Sequence, residues 1–179
     1  MGTWSNNHLR GNILEEYINH TNQLYASKNL ALIQKIPTPI KPVNLNPQRG
    51  VITLAYFEQK STVDYVGVAQ GVPICFDAKE TKLKNLPLNN IHQHQVEHMR
   101  MWEKQGGISF LLVNFVEEKK YFYLPLEDLL MYYDNKDNGG RKSIPYKAFT
   151  REIPIENGYL HYLKSLQQYL NEKKQRIAQ

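Results

Sequence analysis

Apolar side chains recur at three- and four-residue steps near both ends of the chain, and this spacing predicts amphipathic helices. The first helix is expected over residues 7–28, where Leu9, Ile13 and Tyr17 share one face. The last helix is expected over residues 156–176, where leucines follow one another on a single stripe. Helices of this kind bury their apolar face against another layer of structure.

Between these helices, short runs rich in β-branched and aromatic residues are broken by Pro and Gly, which predicts strands. Extended segments are expected over residues 30–36, 51–57, 62–69, 72–79, 108–116 and 120–124, and further helices over residues 89–105 and 125–133. The segment over residues 35–50 is rich in Pro and Asn and has no regular apolar period, so a loop or an excursion is expected there. This order of elements predicts an α/β fold in which helices pack on a mixed sheet.

Two of these strands meet at Gln70 and Gly71, and this arrangement predicts a β-hairpin. In a hairpin centred there, positions whose numbers sum to 141 face each other, for either a two-residue or a four-residue loop. Asp64 therefore faces Asp77. Opposed Cβ atoms lie about 4.5–5.5 Å apart, and two carboxylates at that distance repel each other unless positive charge lies between them.

The need for positive charge makes this hairpin a candidate metal site. Lys79 supplies part of the charge, because residues two apart in a strand share a face and Lys79 therefore lies beside Asp77. A divalent cation would supply more, and paired carboxylates with open positions suit Mg²⁺ or Mn²⁺. The alternative is a solvated edge where the two acids repel only weakly, but Asp is disfavoured in the middle of strands. We therefore expect a metal site.

The spacing of Asp64, twelve intervening residues and then Asp77-Ala78-Lys79 is typical of a large class of metal-dependent nucleases. In such a site the carboxylates hold cations that polarise a phosphate and lower the pKa of bound water. The lysine orients that water and offsets charge in the transition state. The spacing alone is unspecific, because D-x-K occurs by chance in many proteins.

Composition narrows the class of protein. The 179 residues fit one domain, so a single domain over residues 1–179 is expected. The single cysteine, Cys75, excludes a disulfide framework and a Cys-based zinc finger, and we expect a core thiol on the face opposite to Asp77. No apolar run approaches the roughly 18 residues of a membrane helix, and residues 1–7 lack the apolar core of a signal peptide. A cytoplasmic protein without membrane contact is therefore expected.

The chain carries 22 Lys and Arg against 17 Asp and Glu, a formal net charge of +5, and the location of this charge is more informative than its sum. Basic residues gather in residues 1–50 and 136–179, whereas the acids of the candidate site lie between them. Arg141 and Lys142 follow two glycines in a polar loop that could contact phosphates. A basic frame around an acidic centre suits a metal-dependent enzyme that acts on a phosphodiester, and ordinary surface charge is the alternative.

The residues around the two carboxylates form part of a longer ordered pattern. The runs KSTVDY (residues 60–65) and FDAKET (76–81) are accompanied by distinctive segments over residues 10–16, 35–40, 86–99 and 138–144. Together, and in this order, they resemble the RecU family of Holliday junction resolvases over residues 10 to about 144. The joint match is highly specific, unlike the D-x-K spacing.

The resemblance implies a restriction-endonuclease-like fold, in which helices flank a mixed β-sheet and residues 43–60 form a protruding stalk. It implies a homodimeric, Mg²⁺-dependent, structure-selective endonuclease, in which Mn²⁺ is expected to substitute. The expected reaction is the resolution of four-way DNA junctions by paired symmetric nicks in recombination and repair. The expected partners are junction DNA, a second copy of the chain, and a recombinase or branch-migration helicase.

The resemblance also assigns roles to individual residues. The metal ligands would be Asp64, Asp77 and Glu15, and the remaining catalytic residues Lys79 and Gln95. The sequence leaves Glu16 open as an alternative to Glu15, although the position in the motif favours Glu15. The expected DNA contacts are Arg10, Lys35, Arg49, Lys60, Thr62, Arg141 and Lys142.

The chain departs from the family pattern in three ways. Asp77 stands where the family more often has Glu, the stalk is a few residues short, and the basic end of the last helix has no match. These departures point to a divergent or phage-borne member and leave two alternatives open. One is a catalytically weak recombination mediator that binds junctions, and the other is a nuclease of the same class that acts on duplex or flap DNA.

Overall fold

The computed structural model describes residues 13–57 and 62–178. The helices are α1 (Ile13–Ser27), α2 (Gln93–Lys104), α3 (Leu126–Tyr133) and α4 (Tyr162–Ile177). The strands are β1 (Ala31–Lys35), β2 (Ile40–Asn46), β3 (Val51–Phe57), β4 (Tyr65–Ala69), β5 (Val72–Thr81), β6 (Asn85–Pro87), β7 (Ile108–Phe115), β8 (Lys120–Pro125), β9 (Ser143–Pro145), β10 (Ile155–Glu156) and β11 (Tyr159–Leu160).

Five strands form the central sheet in the order β1-β4-β5-β7-β8. The neighbours β1 and β4, β4 and β5, and β7 and β8 pair antiparallel, whereas β5 and β7 pair parallel. A parallel pair needs a crossover connection, and α2 lies in the segment that connects β5 to β7. The predicted α/β class, with a mixed sheet flanked by helices, is therefore confirmed.

Strand β7, which lies between β5 and β8, is buried on both faces. Phe110 and Leu112 belong to the core that the sheet forms with α1 and α4, whereas Leu111 and Val113 belong to the core formed with α2 and α3. A strand in this position reads as a continuous apolar run, as the sequence indicated, because alternate side chains enter different cores. The two cores hold the sheet and its four helices in one arrangement, on which the polar residues of the site depend.

Residues 40–57 leave the central sheet as a separate antiparallel ribbon formed by β2 and β3. Ile40 faces Phe57 where the ribbon begins, and nearly all of its side chains are exposed. An excursion and an extended segment over 51–57 were predicted here. The ribbon starts three residues before the predicted stalk, and residues 58–61 lie outside the described part of the chain.

The C-terminal helix begins later than predicted, at Tyr162 rather than at residue 156. The residues before it form a small hairpin in which Asn157 and Gly158 adopt positive φ angles of 53° and 79°. Asn-Gly is the favoured pair for a tight two-residue turn, because both central positions need positive φ. This turn overrides the helical spacing that continues through the segment, so the predicted boundary was wrong.

Other predicted boundaries shift by a few residues. The second helix begins at Gln93 because Leu88–Asn90 forms a 3₁₀ turn, and Pro125 is the N-cap of α3. Of the first predicted helix, residues 7–12 lie outside the described part of the chain. Among the described residues, no helix combines the length and the apolar character that crossing a membrane requires.

Candidate active site

The hairpin of β4 and β5 has the register predicted from the sequence. Tyr65 of β4 faces Phe76 of β5, as expected for positions that sum to 141. Asp64 and Asp77 are one residue further from the turn and are therefore neighbours across the hairpin. The turn places Gln70 at a φ of 49° and Gly71 at a φ of 83°, a geometry that suits a two-residue loop.

Each carboxylate is held by the main chain of the opposite strand. The amide N of Asp64 donates to Oδ1 of Asp77 at 2.8 Å, and the amide N of Ala78 donates to Oδ2 of Asp64 at 2.9 Å. Hydrogen bonds to charged acceptors are stronger than those between neutral groups, so both acids have defined orientations. The two carboxylates therefore face each other across the hairpin, as the sequence predicted, and the main chain holds both of them.

Lys79 is the cation next to this pair. Its Nζ lies 2.9 Å from Oδ2 of Asp77 and donates to Oε1 of Gln95 at 3.2 Å. Gln95 is itself fixed at the start of α2, where its Oε1 also accepts from the amide N of His92 at 3.2 Å. The structure therefore brings together the acid pair, the lysine and the glutamine, which lie on three different elements.

Asp77 is fully buried, and its Oδ2 accepts no hydrogen bond of normal geometry. The ion pair with Lys79 is its only partner of opposite charge among the described residues. A buried carboxylate oxygen with a free lone pair beside a second carboxylate is a donor set that suits a hard cation. The residues present therefore fit a Mg²⁺ or Mn²⁺ ion at this place.

The raised pKa of Asp64 also indicates that the acid pair needs a further cation. Burial raises the pKa of Asp64 from its ordinary value of 3.8 to about 6, and repulsion from Asp77 adds to this shift. The amide of Ala78 and the charge of Lys79 lower the pKa, but they compensate only in part. Without a further cation, the ionised pair is therefore an unfavourable arrangement.

Asp64→Asn is expected to stabilise the metal-free protein at pH 8. Because the folded-state pKa of Asp64 is raised, the wild-type protein loses stability as pH rises from about 3.8 to about 6, and the variant avoids this loss. We expect Tm in EDTA to be higher by about 5 °C in the variant at pH 8, and the difference to vanish near pH 4. Thermal unfolding at both pH values measures this, with Asp134→Asn as control. A difference that is the same at both pH values would contradict the electrostatic cause.

Glu15 and Glu16 are placed differently by α1. Glu15 forms an ion pair with Lys35, with 2.5 Å between Oε2 and Nζ, and its charge contributes to the raised pKa of Asp64. Glu16 is exposed and borders a groove with His20. Glu15 is therefore on the side of the site, but no three His, Cys, Asp or Glu side chains within the described residues stand close enough to share an ion.

The predicted DNA contacts are spread over several elements. Lys35 ends β1, Arg49 lies in the turn of the ribbon, and Thr62 is exposed before β4. Arg141 and Lys142 are exposed in the loop before β9, where Lys142 lies 3.8 Å from Asp137. No described contact joins these groups to one another. Arg10 and Lys60 lie outside the described residues.

Cys75 is a core thiol, as predicted, but its face was predicted wrongly. It is fully buried, its Sγ lies 3.3 Å from Oγ of Ser109, and burial raises its pKa to about 12. It shares the face of Asp77, because residues two apart in a strand point the same way. A thiol with this pKa is not a nucleophile near neutral pH.

Two contacts around the site were not predicted from the sequence. His92 positions Gln95 through its main-chain N–H, and Glu80 contacts both α1 and β7. The only sequence signal for the first is the three-residue spacing of a capping box. The second joins residues far apart in the chain, so no local pattern reports it.

The chain is similar to known proteins over most of its length. A family model described as "Recombination protein U" (RecU) matches residues 9–168. Similar curated proteins include one named Holliday junction resolvase RecU from Limosilactobacillus reuteri, 45% identical over 174 residues, covering 94% of this chain and 83% of that protein. Another of the same name, from Ligilactobacillus salivarius, is 49% identical over 154 residues, covering 84% and 71%.

Among solved structures, the chain is similar to Hjc of Archaeoglobus fulgidus, described as a Holliday junction resolvase from an archaeal hyperthermophile. The TM-score is 0.44 with 10% sequence identity, covering 75% of this chain and 90% of that one.

Proposed function

This chain belongs to the RecU family, and from that membership we propose that it is a Holliday junction resolvase, an endonuclease that hydrolyses phosphodiester bonds in four-way DNA junctions. The observation that carries the proposal is the hairpin in which Asp64 and Asp77 are fixed against each other beside Lys79. Two acids and a lysine in this arrangement form the site that metal-assisted phosphodiester hydrolysis needs.

We propose that Asp64 and Asp77 hold Mg²⁺, for which Mn²⁺ substitutes, and that Glu15 completes the ligand set when it leaves Lys35. When bound, the cation supplies Lewis-acid polarisation of the scissile phosphate and lowers the pKa of a coordinated water. The chain's own contribution is the fixed separation of the two carboxylates and the low exposure of Asp77. Both features are present before DNA binds.

Lys79 and Gln95 act on the reacting groups rather than as ligands in this proposal. The Nζ of Lys79 lies in the site and has three donors. It donates to Gln95, and the ammonium group is also in ion-pair contact with Asp77. A donor that is not bonded to Gln95 can hold the attacking water or a phosphate oxygen and offset charge that develops in the transition state. Gln95 keeps the ammonium group directed into the site.

Two symmetric nicks require two sites, so we propose that the working unit is a homodimer. A closed dimer has a twofold axis, and a four-way junction also has approximate twofold symmetry, which places one site on each of two opposed strands. The exposed ribbon of β2 and β3 is the element that can enter the junction centre. A recombinase or branch-migration helicase is the expected protein partner, since each of these classes makes or moves such junctions.

Junction specificity is the property that best tests the proposal. Cleavage of a mobile four-way junction is compared with cleavage of linear duplex and flap DNA of the same sequence, at equal protein and Mg²⁺ concentrations. We expect paired nicks in the junction and little cutting of the other substrates. Binding of junctions without nicking in Mg²⁺ or Mn²⁺ would indicate a recombination mediator, and equal cutting of duplex or flap DNA would indicate a nuclease without this selectivity.

The double change Arg141→Ala and Lys142→Ala is expected to weaken junction binding without changing the Mg²⁺ dependence of cleavage. Each lost phosphate contact should reduce the slope of log K against log salt by about 0.9, because fewer counterions are released. Binding titrations at several salt concentrations measure the slope. Lys164→Ala, an exposed lysine of α4 paired with Glu156, is the matched control. An unchanged slope in the double variant would remove this loop from the interface.

A further inference from the structure

A carboxylate on the other face of β5 contacts the helix that carries Glu15. Glu80 follows Lys79 directly and therefore points to the opposite face of the strand. Its Oε1 accepts a hydrogen bond from the amide N of Leu14 at 3.2 Å and another from Nδ2 of Asn114 at 2.7 Å. One oxygen atom thus connects the first turn of α1 to the central sheet.

Asn114 of the sheet fixes the position of the Glu80 carboxylate. Asn114 lies opposite Glu80 in the parallel register of β5 and β7 and is 4% exposed. The acceptor is charged, so its bond to a main-chain N–H in the first turn of α1 is stronger than one between neutral groups. The positive end of the helix dipole favours a carboxylate at this position as well.

The first turn of α1 is the part of the helix that matters for the site. The buried side chains of Leu14 and Ile18 anchor α1 to the core of the sheet. Apolar packing is non-directional, so it does not by itself fix how far the first turn extends toward the site. In the first turn, Glu80 holds the main chain at Leu14. Further along the helix, polar side chains of α1 also bond to the rest of the fold, namely Asn19, Thr21 and Asn22.

We propose that Glu80 is a positioning residue that sets the reach of Glu15 toward the metal site. The inference rests on the proposed function, in which Glu15 joins Asp64 and Asp77 as a ligand. Glu80 itself touches neither substrate nor metal. A carboxylate that orients a metal ligand without touching the metal mainly changes the affinity for the ion. It has less effect on the cleavage rate once the ion is bound.

Glu80→Ala should weaken Mg²⁺ binding about tenfold, by analogy with other residues that support ligands. Mg²⁺ is titrated into the DNA-free protein, and the rise in Tm reports the affinity without any cleavage. The Mg²⁺ concentration that gives half-maximal junction cleavage should rise by the same factor, while the rate at saturating Mg²⁺ stays close to that of the wild type. Glu80→Gln keeps the oxygen that accepts both hydrogen bonds and should restore the affinity.

The matched control is Glu103→Ala. Glu103 is also a half-buried carboxylate that accepts from a main-chain amide, that of Ser109 at 3.1 Å, and it lies near the far end of α2. Its loss should lower Tm but leave Mg²⁺ affinity unchanged. If Glu80→Ala does not fold, Glu80→Asp keeps the charge and withdraws the oxygen by one methylene, so it should weaken Mg²⁺ binding as well.

A second variant tests whether the effect passes through Glu15. Glu15→Gln combined with Glu80→Ala should bind Mg²⁺ as weakly as Glu15→Gln alone, because the positioned ligand is already lost. Wild-type affinity in Glu80→Ala, or additive losses in the double variant, would overturn the inference and leave the proposed function intact. A wild-type protein that neither binds Mg²⁺ nor cleaves junctions would overturn both.

Discussion

Asp77→Asn is expected to abolish Mg²⁺-dependent junction cleavage while junction binding persists. The amide keeps the oxygen that accepts from the main chain of Asp64, so the hairpin should retain its register. It removes the buried negative charge of Asp77, which we propose binds the cation. Loss of such a group should lower the rate constant for cleavage by at least about 10³-fold.

For Asp77→Asn, single-turnover kinetics give the rate constant for cleavage, and gel shifts with the same junction give the binding affinity. Asp128→Asn is the control, since Asp128 is a partly exposed carboxylate that pairs with Arg151. It should cleave like the wild type. Cleavage by Asp77→Asn within tenfold of the wild-type rate would contradict the role of this carboxylate, and loss of both binding and cleavage would indicate a structural defect instead.

Lys79→Met is expected to lower the cleavage rate about 10²- to 10³-fold at saturating Mg²⁺. The methionine preserves most of the apolar stem but removes the charge that offsets the transition state. Because Lys79 is not a ligand in the proposal, Mg²⁺ affinity should not fall. Lys79→Arg should not restore the rate, because a planar guanidinium cannot replace a compact ammonium between Asp77 and Gln95.

Lys79→Met and Asp64→Asn should have opposite effects on the stability of the metal-free protein. Lys79→Met leaves the buried Asp77 without its ion pair, so Tm in EDTA should fall and Mg²⁺ should recover part of the loss. Asp64→Asn, in contrast, should raise Tm in EDTA. The control for the lysine is Lys82→Met, an exposed position just after β5. A cleavage rate for Lys79→Met within fivefold of the wild type would exclude the proposed role.

The proposed function explains why the chain tolerates the stability cost of the acid pair. A hairpin optimised for stability alone would not oppose two carboxylates, one of them buried, since this arrangement raises the pKa of Asp64. In the proposed function, the same arrangement prepares the site for a cation, because hydrogen bonds from the main chain already orient both carboxylates. Proteins commonly give up stability at functional sites in this way.

The part of the site that was predicted correctly depends on local geometry. The register of a hairpin follows from its turn, and side chains alternate faces in a strand, so the position of Gln70 and Gly71 was enough to oppose Asp64 and Asp77. The wrong start of α4 has a similar local origin. The spacing of the leucines alone does not reveal the Asn157-Gly158 turn, which connects the two strands of the preceding hairpin.

The sequence by itself determined the class of fold, the opposed acids and the adjacent lysine, because periodicity and turn chemistry act over a few residues. Only the tertiary structure decided which acid of α1 lies on the side of the site, how Gln95 reaches Lys79 and that Glu80 holds the first turn of α1. These contacts join elements up to 66 residues apart. Their geometry depends on how two cores pack on a sheet, which no local pattern records.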